Sequence, residues 1–225
     1  MTYEAQYDQE FFQQAMILFP DPSEADDDGL LAMGGNLEPD TMLSAYRQGI
    51  FPWSEKPITW WSPDPRGIFE LDEFSPSRRL LRKMRQGKFT FTRDQAFAEV
   101  IHACAAPRPE RGGAWLGPGL MEAYVRLHAF GHAHSVECWC EGELVGGIYG
   151  VALGGLFAGE SMFSRVSDGS KMALTHLVAH LRERGFVLFD VQATNDHTIS
   201  LGAIDIPRED YLTRLHHALT LDCRF

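Results

Sequence analysis

The sequence predicts a mixed α/β fold, in which a small N-terminal domain precedes a larger domain with a mostly antiparallel central sheet. Short or alternating apolar runs, which are typical of strands, recur between residues 88 and 192. Three of these runs follow one another with only the residue pairs 141–142 and 154–155 between them, as tight turns do in antiparallel sheets. Segments with apolar residues three and four positions apart, typical of helices, lie on both sides of these runs.

The composition predicts a folded protein that crosses no membrane. The chain has 225 residues, of which 44% are hydrophobic and 12% aromatic, enough to bury a sizeable core. No apolar run approaches the roughly 20 residues of a membrane span. The acidic, polar start also lacks the basic and apolar regions of a signal peptide. We therefore expect a cytoplasmic protein whose four cysteines are free thiols.

Residues 1–66 are predicted to form the N-terminal domain. A short helix is predicted over residues 39–48, and Gly49 ends it. The stretches GIFPW (49–53) and WWSPDPR (60–66) hold three tryptophans between prolines. Because proline lacks an amide donor, these stretches predict neither a regular helix nor a central strand. Their tryptophans form either a core plug or a stacking platform.

Residues 67–225, where the pattern becomes more regular, are predicted to form the second domain. Its first helix begins near Ser75 and Pro76. A loop at 106–119 exposes Trp115 between glycines, either for binding or for packing against a neighbour. The other predicted elements are a strand at 88–92, a helix after Asp94, a helix at 119–130, three strands between 132 and 163, a helix at 168–184, a strand at 186–192, a short helix near 196–203 and a last helix opening at Pro207.

This order of elements is that of the GNAT-type acyltransferase fold. An acetyltransferase of that fold needs a glycine-rich loop before its main helix, where backbone amides hold the pyrophosphate of coenzyme A. The corresponding stretch here, RVSDGS (165–170), has one glycine, so the sequence argues against coenzyme A. Glycines are frequent in the predicted strands that precede this stretch, and we expect them to let a ligand approach the central strands. They stand at positions 146, 147, 150, 154, 155 and 159.

Polar residues interrupt two apolar strands of this domain. Glu160 stands inside LFAGESMF, and Asp190 and Gln192 end FVLFDVQ. A buried carboxylate needs a partner, so two interruptions on neighbouring strands predict a pocket that holds a cation or moves a proton. The period of two predicts that Asp190 and Gln192 share one face of their strand. The alternative is that Asp190 caps the short helix near Asn195 and that Glu160 lies on an open strand face.

The charge is distributed unevenly along the chain. The formal net charge is −11, which argues against an indiscriminate nucleic-acid binder. Residues 77–93 nevertheless contain seven bases and no acid. This pattern predicts one contact with a polyanion, although a solvated basic face is the alternative. The predicted phosphate-binding residues are Arg78, Arg79, Arg82, Lys83 and Arg85.

Ordered motifs along nearly the whole chain resemble one family, the leucyl/phenylalanyl-tRNA–protein transferases. They are FPDP, GLLAMGGNL, GIFPW, WWSPDPR, GHAHSVE, GESMFSR, DVQATNDH and SLGAIDIPREDYL. The resemblance implies an enzyme that transfers Leu, Phe or Met from aminoacyl-tRNA to proteins with N-terminal Arg or Lys, which marks them for degradation by the N-end rule. Because an aminoacyl ester is already activated, we expect no metal, no nucleotide and no other cofactor. We also expect a monomer.

The resemblance also implies a role for particular residues. Asp190 with Gln192 would orient and deprotonate the acceptor amine, and either Asn195 or backbone donors would steady the oxyanion. Glu160 would hold the amino group of the transferred residue, and Trp53 and Trp115 would stack the 3′-terminal adenosine. The side-chain pocket for the transferred residue would consist of Ile148, Phe157, Met162 and Ser164.

Competing functions explain less of the sequence. His176 and His180 have the spacing of zinc ligands, but HLVAH lacks the glutamate of the HExxH motif, so we expect solvated histidines. Cys138 and Cys140 have no second cysteine pair to complete a zinc site. A non-catalytic RNA-binding module would explain the basic helix and the tryptophans. It would leave the polar residues of the two strands without a role.

Overall fold

The structure, a computed structural model, describes residues 17–106 and 116–225. Within these ranges ten strands form two sheets, and the mixed α/β fold is confirmed. The strands are β1 (Leu30–Met33), β2 (Phe51–Glu55), β3 (Ile58–Trp61), β4 (Arg66–Phe69), β5 (Phe89–Arg93), β6 (Ala133–Cys140), β7 (Glu143–Leu153), β8 (Leu156–Ser164), β9 (Leu188–Gln192) and β10 (Ile204–Ile206). The helices are α1 (Pro39–Arg47), α2 (Arg78–Met84), α3 (Phe97–Ala105), α4 (Pro118–Ala129), α5 (Gly169–Glu183), α6 (Asp196–Ser200) and α7 (Arg208–Leu219). None of these helices is long and apolar enough to cross a membrane.

The smaller sheet is antiparallel and has the strand order β1-β3-β2. Its central strand is β3, so the expectation that the tryptophan-rich stretches contain no central strand is wrong. The reason is that Pro52 lies in the edge strand β2 and Pro57 in the following turn. The amides of β3 are therefore free to pair on both sides. Trp60 of β3 is 1% exposed and belongs to the core.

The larger sheet has seven strands in the order β10-β4-β9-β8-β7-β6-β5. The β8–β9 pair is parallel and the other neighbours are antiparallel, so the prediction of a mostly antiparallel sheet is confirmed. Tight turns join β6, β7 and β8 as predicted. Strand β4 was not predicted, and with it the large sheet begins at Arg66. The division of the chain into domains at residue 66 stays a prediction.

Two helices begin differently from the expectation. Helix α2 begins at Arg78 and not near residue 75, because the Ser77 hydroxyl caps it by accepting from the Leu80 amide. Helix α5 begins after Asp168, which the sequence predicts as its cap, but the backbone of Asp168 is left-handed with φ 68° and its side chain makes no cap. The Asp168 carboxylate instead accepts a hydrogen bond from Lys83 at 3.1 Å.

Helices cover both faces of the large sheet. Helix α5 packs on one face, where its apolar side contacts β6, β7 and β8. Helices α3 and α4 pack on the other face with α1, and α7 packs against β8 and β9. The glycines of the central strands accommodate parts of the protein itself. A Cβ atom at Gly146, for example, would lie 2.5 Å from the backbone of Gly169 at the start of α5.

Candidate active site

A cavity of about 480 Å³ opens where β8 and β9 run side by side. Its polar residues include Glu160 from β8 and Gln192 from β9. Most of the remaining wall is apolar, which suits the burial of an uncharged side chain. The apolar wall includes Phe51, Trp53, Phe69, Ile148, Met162, Leu174, Phe189 and Val191.

Glu160 is placed in this cavity by a β-bulge. The pairing of β7 with β8 passes from Gly150↔Gly159 to Tyr149↔Ser161, so Glu160 is the extra residue that has no partner on β7. A bulge re-aims side chains, and bulges are common beside active sites. The alternative that Glu160 lies on an open strand face is therefore wrong.

Three polar groups contact the Glu160 carboxyl group. The Tyr46 hydroxyl of α1 lies 2.7 Å from Oε1, and the Tyr124 hydroxyl of α4 lies 2.7 Å from Oε2. Gln192 donates from Nε2 to Oε1 at 3.1 Å. Burial raises the pKa of Glu160 to about 7, although the two tyrosine contacts act in the opposite direction. This carboxyl group can therefore gain or lose a proton near neutral pH.

Asp190 lies behind the cavity wall in a buried ion pair with Arg66. Both residues are 0% exposed. Arg66 donates from Nε to Oδ1 at 2.9 Å and from Nη2 to Oδ2 at 2.7 Å. The Tyr211 hydroxyl donates to Oδ2 at 2.9 Å, and the Gln192 amide donates to Oδ1 at 2.9 Å. Each carboxylate oxygen thus accepts two hydrogen bonds, and Asp190 does not cap the short helix.

Arg66 is held as firmly as Asp190. Its third nitrogen, Nη1, donates to the carbonyl oxygen of Gly49 at 2.8 Å. The guanidinium carbon lies 5.0 Å from the ring centre of Phe51 and 4.3 Å from that of Tyr211. Burial opposes the charge, but Asp190 and Tyr211 more than offset this and the pKa of Arg66 is raised. The pair therefore joins β4 and β9 to α7 and to the chain just before β2.

Gln192 connects the buried ion pair to the cavity. The pairing of β9 with β4 skips Val191, and Gln192 has a left-handed backbone with φ 62°. The period of two is therefore broken: Asp190 faces Arg66, whereas the Gln192 side chain lines the cavity and reaches Glu160. The Asp190 carboxylate accepts from the Gln192 amide and so stabilises this backbone conformation.

The other predicted site residues divide between the cavity and its surroundings. Ile148, Met162 and Asn195 line the cavity, and the Asn195 side-chain oxygen Oδ1 caps α6 by accepting from the amides of His197 and Thr198. Phe157 and Ser164 do not line it, which differs from the expectation. Phe157 is 1% exposed and packs against Phe189 from behind the wall, and the Ser164 hydroxyl accepts from the Ser170 amide at the start of α5.

Trp53 is positioned to present its ring to a ligand. It is 42% exposed, lines the cavity and packs against Trp61 with ring centres 5.2 Å apart. An exposed indole beside a cavity can stack on a nucleobase. Trp115, the other predicted stacking residue, lies outside the residues that the structure describes.

The predicted basic residues of α2 and its end are not equivalent. Lys83 is engaged with the protein itself, because it donates to Asp168 and to the carbonyl oxygen of Ser167. The Arg79 guanidinium lies 3.8 Å from Asp168. The other three predicted residues are exposed and have no partner within the two described ranges, and these are Arg78, Arg82 and Arg85.

No metal site accompanies the cavity in the part of the chain that the structure describes. No group of three or more His, Cys, Asp or Glu side chains is arranged there to hold a metal ion. The histidines of α5 are not solvated as expected. His180 is 7% exposed and packs against Phe225, and His176 stacks on Phe91. Burial lowers the pKa of His180 to about 4.

Sequence comparison identifies the family of this chain. Residues 68–216 match the family described as leucyl/phenylalanyl-tRNA protein transferase, and residues 35–64 match the N-terminal domain of that family. The chain belongs to the leucyl/phenylalanyl-tRNA protein transferase family.

Relatives of the same name resemble the chain over most of its length. The leucyl/phenylalanyl-tRNA–protein transferase of Aromatoleum aromaticum is 53% identical over 201 residues, which are 88% of this chain and 85% of the relative. That of Nitratidesulfovibrio vulgaris is 52% identical and covers 89% and 87%. That of Pseudomonas fluorescens is 51% identical and covers 91% and 93%.

Four site residues of this transferase family member were not found from its sequence. Tyr46 and Tyr124 have the helical spacing of core aromatics, and nothing local marks them as partners of Glu160. Arg66 and Tyr211 are separated from Asp190 by 124 and 21 positions. One signal for Arg66 was present, because a charged residue that opens an apolar strand needs a partner of opposite charge.

Proposed function

We propose that the protein transfers Leu, Phe or Met from aminoacyl-tRNA to the α-amino group of proteins that begin with Arg or Lys. Membership of the transferase family supports the reaction class. The observation that carries the proposal is one carboxyl group, that of Glu160, in an otherwise largely apolar cavity. Such a cavity suits an uncharged side chain with a free amino group beside it. We propose the cytoplasm as the place of reaction, because both substrates are made there.

The donor residue would lie with its side chain against the apolar wall. Ile148 and Met162 face each other across β7 and β8, and both line the cavity. Methionine adapts to side chains of different shape, which suits the acceptance of Leu, Phe and Met. The donor amino group would contact Glu160.

In this proposal Asp190 positions Gln192 and does not remove a proton. All four acceptor directions of its carboxylate are occupied, and it does not line the cavity. A general base must lie within hydrogen-bond reach of the proton that it removes. The acceptor amine has an ordinary pKa of about 8, so a useful fraction is neutral without a dedicated base.

The test of the proposal uses purified protein, labelled leucyl-tRNA and a peptide that begins with Arg, without added metal or coenzyme A. We expect the label to appear on the peptide. A peptide with an acetylated N-terminus is the control, because it lacks the nucleophile. Tight binding of tRNA without any transfer would support the non-catalytic RNA-binding alternative and would refute the proposal.

The exposed bases of α2 should contact tRNA phosphates. Replacing Arg78, Arg82 and Arg85 by Ala should weaken tRNA binding without sequence preference, and should reduce the slope of log K against log salt by about 0.7–0.9 per lost phosphate contact. Filter binding at several salt concentrations measures this slope. An Ala variant of three exposed bases elsewhere, Arg47, Lys56 and Arg224, is the matched control. Equal slopes for the two variants would show that the basic face of α2 is exposed to solvent and does not contact tRNA phosphates.

Trp53 should stack on the terminal adenine. Trp53→Ala should raise the apparent KM for aminoacyl-tRNA, because stacking on an aromatic side chain contributes about 1–3 kcal/mol per base. Steady-state transfer measures the KM. Phe130→Ala, which removes an aromatic that is 64% exposed away from the cavity, is the control and should leave the KM unchanged. An unchanged KM in a folded Trp53→Ala protein would return this tryptophan to a packing role.

A further inference from the structure

Three oxygen-to-oxygen contacts connect Glu160, Tyr46 and Tyr124 to one another. The two tyrosine hydroxyls lie 2.9 Å from each other, and each lies 2.7 Å from a different oxygen of Glu160. We call this arrangement the tyrosine–glutamate ring. It joins helices α1 and α4 to strand β8 at the side of the cavity.

The ring has three contacts, but the two tyrosine hydroxyls supply two protons. At these distances each contact is a hydrogen bond only if one proton lies between its two oxygens. Tyr46 and Tyr124 each bring one hydroxyl proton, and an ionised carboxylate brings none. Two protons cannot satisfy three contacts, so the third proton must come from a protonated Glu160.

Gln192 determines which oxygen of Glu160 carries the proton. Its side-chain amide donates to Oε1, which therefore acts as an acceptor. The proton then lies on Oε2. When Glu160 carries this proton, the ring is satisfied in one direction: Oε2 donates to Tyr124, Tyr124 donates to Tyr46, and Tyr46 donates to Oε1. A carboxylic acid is thus an integral part of the ligand-free arrangement.

The surroundings agree with this proton count. Desolvation is the largest influence on Glu160; it outweighs the contacts with Tyr124 and Tyr46, which lower the pKa, and favours the neutral form, with a pKa of about 7. The nearby negative charge of Asp190 acts in the same direction, whereas that of Arg66 opposes it. The titratable groups around Glu160 are Tyr46 on α1, Tyr124 on α4, Tyr149 on β7, Arg66 on β4 and Asp190 on β9, and His197 on α6 lines the same cavity.

We propose that the tyrosine–glutamate ring of the ligand-free protein stores one proton, and that binding of the donor amino group expels this proton from Glu160. If the amine arrives neutral, the Oε2–H bond breaks and an N–H bond forms. If it arrives as an ammonium ion, the proton leaves for solvent. Both routes end with an ammonium group paired with the Glu160 carboxylate. This inference rests on the proposed function, which supplies the aminoacyl group.

The stored proton would keep the two amines of the reaction distinct. A donor amine held as ammonium has no lone pair and cannot act as a nucleophile. Its positive charge also withdraws electrons from the neighbouring ester carbonyl. The acceptor amine is then the one competent nucleophile in the site, and the donor residue is not itself acylated.

Calorimetry of a stable analogue tests the proposal. The probe is leucine joined to 3′-amino-3′-deoxyadenosine through an amide bond, titrated into the protein in buffers of different protonation enthalpy. At pH 6 the amine of the probe is charged and Glu160 is mostly protonated, so we expect release of about one proton per bound molecule. At pH 9 the amine is neutral and Glu160 is ionised, so we expect proton uptake instead.

Two controls make the result specific. The same probe without its α-amino group should bind without proton release, because the ring stays intact. Glu160→Gln, whose side-chain amide donates and accepts like the carboxylic acid, should release no proton with either probe. Normal binding of the full probe to the unaltered protein at pH 6 without proton release would overturn the inference. Failure of the probe to bind at all would count against the proposed function instead.

The ligand-free protein offers a second test that needs no probe. A folded-state pKa of about 7, above the ordinary 4.5, means that the folded protein binds more protons than the unfolded chain between these two values. The denaturant midpoint of the unaltered protein should therefore fall relative to that of Glu160→Gln as the pH rises from 5 to 8. A difference between the two midpoints that does not change with pH would overturn the stored proton.

Discussion

Replacing Asp190 by Asn should lower the free energy of unfolding by about 3–5 kcal/mol, since the change removes one partner of a buried ion pair. Arg66 would keep its charge, because the pKa of a guanidinium lies too high for it to become neutral. It is 0% exposed and would remain buried beside a neutral amide. The amide nitrogen of the new Asn is a donor, and it would face the donors of Arg66 or Tyr211. Urea unfolding at pH 7 measures the change.

The same variant separates a positioning residue from a general base. Loss of a general base reduces the rate by about 10²–10⁴ and has little effect on stability. In our account the folded fraction of Asp190→Asn keeps most of its single-turnover transfer rate, because the Asn carbonyl oxygen still accepts from the Gln192 amide. A near-normal melting temperature combined with a rate loss of that size would restore Asp190 as the base.

Two further variants keep this experiment interpretable. Asp205→Asn changes an exposed carboxylate on β10 that accepts from Thr194, and it should leave stability nearly unchanged. The double variant Arg66→Met with Asp190→Leu removes both charges together. Replacement of a buried pair by apolar residues of similar size is often neutral or stabilising. The double variant should therefore be more stable than Asp190→Asn, which identifies the unpaired charge as the cause of the loss.

The sequence predicted which residues are unusual better than it predicted what they contact. Glu160, Asp190 and Gln192 stood out because strands normally exclude such groups, and all three lie in or directly behind the cavity. Their partners could not be found in the same way. Tyr46 lies 114 positions from Glu160 and Arg66 lies 124 positions from Asp190, so both contacts exist only through the fold.

Bulges explain most of the remaining differences. The period of two assumes an uninterrupted strand, but β8 has an extra residue at Glu160 and β9 has one at Val191. Side chains beyond each bulge change their direction relative to those before it. For this reason Asp190 and Gln192 point to different surroundings. Strand β8 carries a local signal of its bulge, because Gly159 stands next to Glu160 and a glycine inside a strand often marks a bulge.

Prolines explain the difference in the smaller sheet. The prolines in and between the stretches 49–53 and 60–66 predicted that no central strand lies there, and two of these prolines are Pro52 and Pro57. Each of them in fact occupies a position where its missing amide proton is not needed, one in an edge strand and one in a turn. The tryptophans then divide between both predicted roles, because Trp60 is buried in the core whereas Trp53 is exposed at the cavity.

Glu160→Gln should reduce kcat/KM for transfer by about 10²–10³, since removing one partner of a buried, hydrogen-bonded charge pair costs about 2–5 kcal/mol. The variant keeps the shape of the side chain and, through its amide, the hydrogen bonds to Tyr46 and Tyr124. What it lacks is the ability to become a carboxylate opposite the donor ammonium. The loss should therefore appear in transfer and not in folding.

The affinity for deacylated tRNA is a measurement that Glu160→Gln should leave unchanged. Deacylated tRNA has no donor amine, and its affinity depends mainly on phosphate contacts. Its dissociation constant should be the same for Glu160→Gln and for the unaltered protein. Glu137→Gln is the matched control, because it changes a buried carboxyl on β6 of the same sheet that contacts Ser135 and Thr92 and does not line the cavity. If Glu160→Gln transferred leucine as fast as Glu137→Gln, Glu160 would not hold the donor amine, and the apolar wall alone would have to orient the aminoacyl group.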